Sequence, residues 1–177
     1  MMKVEVVPHN PNWHCADLDE SKRVAMTLGK NVKAIHHIGC TAIPTIHAKP
    51  IIDILIEVRK IDQVDARNNA MKALGYESMG EFGISGRRYF RKHSDVGTRT
   101  HHIHVFRMES DQVRRHLAFR DYLRVHTEDT QQYSSLKQQL AQQYPNDIEG
   151  YMDGKNEFIH HIDQRAAAWH RRSQRKG

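Results

Sequence analysis

From residue 11 to 29 the apolar positions Trp13, Ala16, Val24 and Leu28 recur at helical intervals, with Pro11 at the start and Gly29 at the stop, where each belongs. Residues 32–38 then read as a strand that ends at Gly39-Cys40-Thr41. A loop with Pro44 and Pro50 follows, and residues 51–58, the most apolar run of the chain, read as a buried strand. Residues 62–74 carry Val64, Met71 and Leu74 on one side and predict a helix stopped by Gly75. Two further strands are expected at 87–92 and 100–107, joined by His93-Ser94-Asp95-Val96-Gly97, which suits a hairpin loop. After Arg107 the pattern turns helical over 111–125, 128–144 and 147–169, with breaks at Thr127 and Pro145. In 131–143 a single apolar stripe, Tyr133, Leu136, Leu140 and Tyr144, predicts a packing face with a solvated back. Residues 3–8 alternate briefly, as a short strand or an extended arm.

This order predicts an α+β fold: a small mixed β-sheet with flanking helices and a helical C-terminal part. Segment 51–58 is expected at the centre of the sheet, paired with 100–107. An α/β core at 1–108 and helices at 109–170 should pack as one structural unit, followed by a basic tail at 171–177.

Composition narrows the classes. The 177 residues include 27 Lys or Arg and 21 Asp or Glu, for a net charge of +6, and 38% are hydrophobic. Mean hydropathy is −0.74. No apolar run approaches the ~20 residues of a membrane span, and the start of the chain has no signal-peptide pattern. Two cysteines, Cys15 and Cys40, make no disulfide framework. The expectation is a soluble, cytoplasmic protein without a membrane partner. A charge of +6 favours anionic ligands in general. The basic residues are dispersed, and the one dense run, Arg171, Arg172, Arg175 and Lys176, reads as a solvated tail, so nucleic acid is not the expected partner.

The chemistry concentrates around Gly39. A strand that ends in Gly39, Cys40 and Thr41 leaves backbone N–H groups free to face an anion. Asp53 interrupts an otherwise apolar strand, where a lone carboxylate is costly unless it is paired, hydrogen-bonded or metal-bound. It either caps a turn, pairs with a cation or holds a metal.

The chain resembles the GrpB family of the nucleotidyltransferase superfamily, a family also found fused behind dephospho-CoA kinases. The resemblance runs from about Lys3 to Trp169 and rests on co-linear blocks. These include Val4-Glu5-Val6-Val7-Pro8, His37-Ile38-Gly39, Ala48-Lys49-Pro50-Ile51-Ile52-Asp53-Ile54, Gly86-Arg87-Arg88-Tyr89-Phe90, Arg99-Thr100-His101-His102-Ile103-His104-Val105 and Leu117-Ala118-Phe119-Arg120-Asp121-Tyr122. It implies a nucleotidyltransferase-like fold in which a small-residue turn precedes an acid-bearing strand.

Two departures stand out. Cys40 occupies a position where the family usually has Ser, and Thr45 one where it usually has Gly. A Cys still offers its backbone N–H, but its thiol is a weak donor; a reactive thiol there would need a nearby cation. Leu55 stands where the wider superfamily places a second acid. Glu57 shares the strand face of Asp53 but lies ~13 Å along the strand, too far for metals ~3.5–4 Å apart, and reads as a surface charge.

The histidine-rich strand can supply what is missing. Alternation puts His102 and His104 on one face and His101 on the other. With Asp53 they would form a two-His, one-carboxylate set suited to Mn, Zn or Fe rather than Mg alone. Alternatively one imidazole is a core residue and the other a phosphate-facing donor. Lys49, Arg87 and Arg88 could offset phosphate charge. Arg120, Arg124, Lys137 and Lys155 could close over a ligand from the C-terminal helices, with surface solvation the expected role of each.

The expected function is metal-assisted binding of a nucleotide or other phosphorylated small molecule, with transfer of a nucleotidyl group to an acceptor. Asp53 would be the catalytic acid and, with His102 and His104, would hold a divalent ion (Mg or Mn, with Zn as an option). Gly39, Cys40, Thr41, Lys49, Arg87 and Arg88 would bind phosphates. The alternative is a non-catalytic ligand-binding or protein-interaction module that kept the fold.

Overall fold

The computed structural model describes residues 3–175. Helix α1 spans Asn12–Leu28 and strand β1 Val32–Ile38, followed by a 3₁₀ turn at Cys40–Ala42 and strand β2 at Ile52–Val58. A 3₁₀ segment, Ile61–Arg67, leads into α2, Asn68–Ala73, and then come β3 (Tyr76–Ser78), β4 (Arg88–His93) and β5 (Arg99–Arg107). Helices α3 (Asp111–Val125), α4 (Thr127–Gln143) and α5 (Ile148–Arg175) complete the chain. The strands form one mixed sheet in the order β1-β2-β5-β4-β3. Strand β2 pairs in parallel with β5 and antiparallel with β1, and β4 pairs antiparallel with β5. The expected central pairing of 51–58 with 100–107 is present, as is the 93–97 hairpin connection.

Alternation divides β2 and β5 into two chemistries. Ile52, Ile54, Ile56 and Val58 face one way with Ile103 and Val105, and pack with Val24 and Leu28 of α1 and Met71 of α2 in the largest core cluster. Buried Glu20 pins α1 to this side, accepting a hydrogen bond from Tyr76 Oη at 2.6 Å and one from Lys92 Nζ at 3.1 Å. Burial alone would raise the Glu20 carboxyl; these donors outweigh it and hold it below its ordinary value.

The opposite face carries Asp53, Leu55 and Glu57 beside His102, His104 and Phe106, as the register Asp53↔His102 and Leu55↔His104 requires. Leu55 is fully buried there against Ile38, Phe106 and Val113 of α3. Ile43 and Ile46, from the loop before β2, are inserted among Tyr122, Leu123, Tyr133 and Ile162 of the three C-terminal helices. The N-terminal segment is an extended arm: Val7 bridges Ala48, and Val4 N–H donates to Pro145 O at 2.9 Å. Among the described residues no helix is long and apolar enough to cross a membrane.

Several expectations shift. The helix expected at 62–74 is 3₁₀ through Arg67, where Asp62 and Asp65 are poor interior helix formers and only Val64 is buried. Strand β3 has only three residues, too few to show a period. Helix α5 continues to Arg175, so the basic tail expected from 171 is helical to that point, while Lys176 and Gly177 lie outside the described residues. Glu57 is not a surface charge: His36 Nε2 lies 2.7 Å from its Oε2, and Glu109 N–H donates to its Oε1 at 3.2 Å.

Candidate functional site

Between the Asp53 face of the sheet and the C-terminal helices lies a cavity of about 330 Å³. Its first wall is the acid–histidine group. The Asp53 side chain is 26% exposed, and its Oδ1 lies 3.1 Å from His104 Nε2 and 3.4 Å from His102 Nδ1. The potential ligand atoms of Asp53, His102 and His104 all lie within 4.8 Å of one another. Burial would push the Asp53 carboxyl up, but hydrogen bonds from the two imidazoles outweigh it and hold the group far below the usual carboxylate range. His101 is on the other face, with its ring against Tyr76.

The imidazoles are held from behind. Tyr89, buried on β4, packs its ring 5.6 Å from His102 and 5.4 Å from His104, centroid to centroid. Arg87 Nη1 lies 3.4 Å from His104 Nδ1. A guanidinium only donates, so Nδ1 accepts and the proton of His104 sits on Nε2, facing Asp53. Ligation of a metal through Nε2 requires that proton to leave and this contact, at the long end of hydrogen bonding, to give way. His102 Nε2 is buried and has no hydrogen-bond partner among the described residues.

Beside the acid stands the Gly39 turn. Gly39 has φ +72°, and a Cβ there would come within 2.8 Å of Asp53 Oδ2. In the turn that follows, Ala42 N–H bonds to Gly39 O and Ile43 N–H to Cys40 O, so the amides of Cys40 and Thr41 precede the first bonded donor. The Thr41 hydroxyl is already engaged: it donates to Ile51 O at 3.3 Å and lies 2.9 Å from His37 Nε2. Only the backbone of Thr41 is left to meet a phosphate.

The far wall comes from the helices. Lys137 and Lys155, expected to be solvated, are 1% and 8% exposed and line the cavity with Lys49. The Cys40 thiol faces them: burial would raise it, but Lys137 and Lys155 bring it below its ordinary value. The cation that a reactive thiol would require is thus present, supplied by α4 and α5, with Lys49 also close enough to feel the thiol.

The structure does not bring all the expected cations together. Arg88 faces away and forms an ion pair with Asp65 at 2.7 Å. It alternates with Tyr89, so one of the two must leave the site face. Arg87 sits behind His104, donating to Glu81 O and Phe82 O and stacked on Tyr89. Arg120 and Arg124 do not close over the cavity: half-buried Arg120 donates to His37 O and exposed Arg124 to Ala42 O, tying α3 to the Gly39 turn. Cavity-lining His116, Tyr133 and Tyr151 escaped the sequence reading, because their spacing matches ordinary helix packing.

The model of a family described as GrpB protein matches residues 3–165. The UPF0157 protein YqkA of Bacillus subtilis is 46% identical over 94% of this chain, and the matched region is 48% of that protein, so the chain spans about half its length. The glutamate-rich protein GrpB of Alkalihalophilus pseudofirmus is 37% identical over 90% of this chain and 94% of its own. The crystal structure of conserved protein GrpB from Enterococcus faecalis superimposes with a TM-score of 0.90 at 41% identity, covering 94% of this chain and 99% of that one.

Proposed function

The chain belongs to the GrpB family, and on that premise we propose that it binds a nucleotide or other phosphorylated small molecule with metal assistance and transfers a nucleotidyl group to an acceptor. The observation that carries this reading is the convergence of Asp53, His102 and His104 on one cavity wall beside the Gly39 turn. The donor set fits a divalent ion: one carboxylate and two imidazoles suit Mn or Zn better than Mg, and His102 Nδ1 and His104 Nε2 both turn toward Asp53 Oδ1. Held by Asp53, His102 and His104, an ion would neutralise phosphate charge and orient the phosphate. The chain's own residues do the rest. Gly39, Cys40 and Thr41 offer backbone amides, Lys49 offsets charge, and Arg87 orients His104. In nucleotidyl transfer the acceptor oxygen bonds to the α-phosphorus as pyrophosphate leaves, and the protein's task is positioning and charge stabilisation.

One observation favours a second reading, a non-catalytic ligand-binding or protein-interaction module on the same fold. Leu55, at the position of a second acid, is sealed under α3 with Ile38 and Val113.

A thermal-shift panel of nucleotides with Mg, Mn or Zn tests the proposal. At ligand concentrations near 100 times Kd, binding adds about 2.7 kcal/mol, or about 5–10 °C for a chain of this size. At least one nucleotide should give such a shift with metal, and Asp53→Asn should remove it. No shift with any nucleotide and ion would overturn the reading.

A further inference from the structure

Opposite the acid–histidine wall, three lysines from three separate segments point into the same cavity: Lys49 before β2, Lys137 on α4 and Lys155 on α5. Their immediate neighbours are tyrosine rings. Lys49 Nζ and Lys155 Nζ lie 5.5 and 4.7 Å from the Tyr151 ring centroid, and Lys137 Nζ lies 4.7 Å from that of Tyr133. Tyr151 and Tyr133 are themselves buried. Among the described residues Lys137 Nζ has no nitrogen or oxygen partner, only the Cys40 thiol beside it, and Tyr151 Oη has no partner. Among the described residues none of the three lysines pairs with a carboxylate, whereas most cations of β4 and α3 do.

Magnitudes separate the two explanations for this arrangement. A buried ammonium loses more hydration than a cation–π contact returns. Tyrosine faces alone leave buried Lys137 and Lys155 at a loss, and half-buried Lys49 adds a third charge beside them. Asp53 and an ionised Cys40 are the anionic candidates lining the cavity, and two negative charges do not balance three ammoniums. Three cations faced by at most two anions, converging on a space large enough for a ligand, call for a compact ligand with several negative charges.

We propose that Lys49, Lys137 and Lys155 form a polyphosphate subsite that holds β- and γ-phosphates, so that the ligand of this cavity is a nucleoside triphosphate rather than a monophosphate or an uncharged nucleoside. This rests on the reading of the cavity as a phosphorylated-ligand site, and it narrows the substrate class. The phosphate chain would lie between the lysines and the Cys40 amide, leaving the Asp53 wall to the metal-bound end. Proton linkage supports it. Burial, together with Lys49 and Lys137, outweighs the attraction of Cys40 and Asp53 and lowers Lys155 to about 8. A bound polyanion raises it again, so ligand entry near pH 8 is coupled to proton uptake at Lys155.

Calorimetry with inorganic tripolyphosphate, pyrophosphate and orthophosphate in EDTA tests the subsite without metal or nucleoside. Affinity should rise by at least about tenfold from orthophosphate to tripolyphosphate. Lys137→Met should weaken tripolyphosphate by a similar factor while remaining folded by circular dichroism. Titrations at pH 8 in buffers of different ionisation enthalpy should show more proton uptake in the wild type than in Lys155→Met, a difference in which the ligand's own protons cancel. Equal affinity for orthophosphate and tripolyphosphate, measured on the wild type alone, overturns the subsite. So does a folded Lys137→Met that binds tripolyphosphate as the wild type does. The two readings fail separately: tripolyphosphate binding that gains nothing from an attached nucleoside, with or without Mn, sinks the nucleotide reading alone, whereas nucleoside mono- and triphosphates binding alike with Mn sink only the subsite.

Discussion

Gly39 and Asp53 are in contact so close that no side chain fits between them: a Cβ on Gly39 would lie 2.8 Å from Asp53 Oδ2 and 3.2 Å from Asp53 Cβ. The turn and the acid are therefore one unit, and the glycine is required twice, for its φ of +72° and for its missing Cβ. Gly39→Ala should destabilise the protein by about 1–3 kcal/mol and, by displacing the carboxylate, weaken metal binding. Thermal unfolding and Mn calorimetry on this variant check both effects together.

Arg87 sets the tautomer of His104. Its guanidinium, 3.4 Å from Nδ1, holds the His104 proton on Nε2, where a metal would bind. In Arg87→Gln the side-chain carbonyl can accept a proton on Nδ1 and free Nε2, the arrangement usual behind a metal-bound imidazole. Arg87→Gln should tighten Mn binding, provided the loop carbonyls of Glu81 and Phe82 keep a donor. Calorimetry against the wild type, with circular dichroism to confirm folding, reads this out.

His116 dictates part of the acid response. Burial, with Arg115 and His104 nearby, lowers it to about 3. Its folded value lies below its unfolded one, so the unfolded chain takes up the proton first. The stability contributed by the neutral ring is complete above about pH 6.5 and is lost as pH falls toward 3. Stability measured by urea unfolding should therefore fall less steeply between pH 6 and pH 4 in His116→Gln than in the wild type.

Much of the fold was legible because the relevant segments carry a period. Strand β1 and helix α3 fall where the sequence puts them, and the facing of His102 and His104 away from His101 follows from alternation alone. The near wall of the site was therefore visible in the chain. The far wall was not. Lys137 and Lys155 sit on polar helices whose sequence resembles a solvated back, and only the packing of α4 and α5 over the sheet buries them. Nor could the sequence show Arg88 turning to Asp65, since which half of an alternating basic run faces a cavity depends on the register of its partner strand. Cys40 is intermediate: its place in the turn was clear, its cationic neighbours were not.

The account turns on Asp53, His102 and His104 acting as one metal site, and calorimetric titration with Mn tests that most directly. Asp53→Ala and His104→Ala should each lower affinity by at least about tenfold, the scale on which even outer-shell partners of metal ligands matter. The double variant should cost less than the sum of the two, because partners on one ion are not additive. His101→Ala, across the sheet, should leave the affinity unchanged. Wild-type Mn affinity in Asp53→Ala would contradict the site.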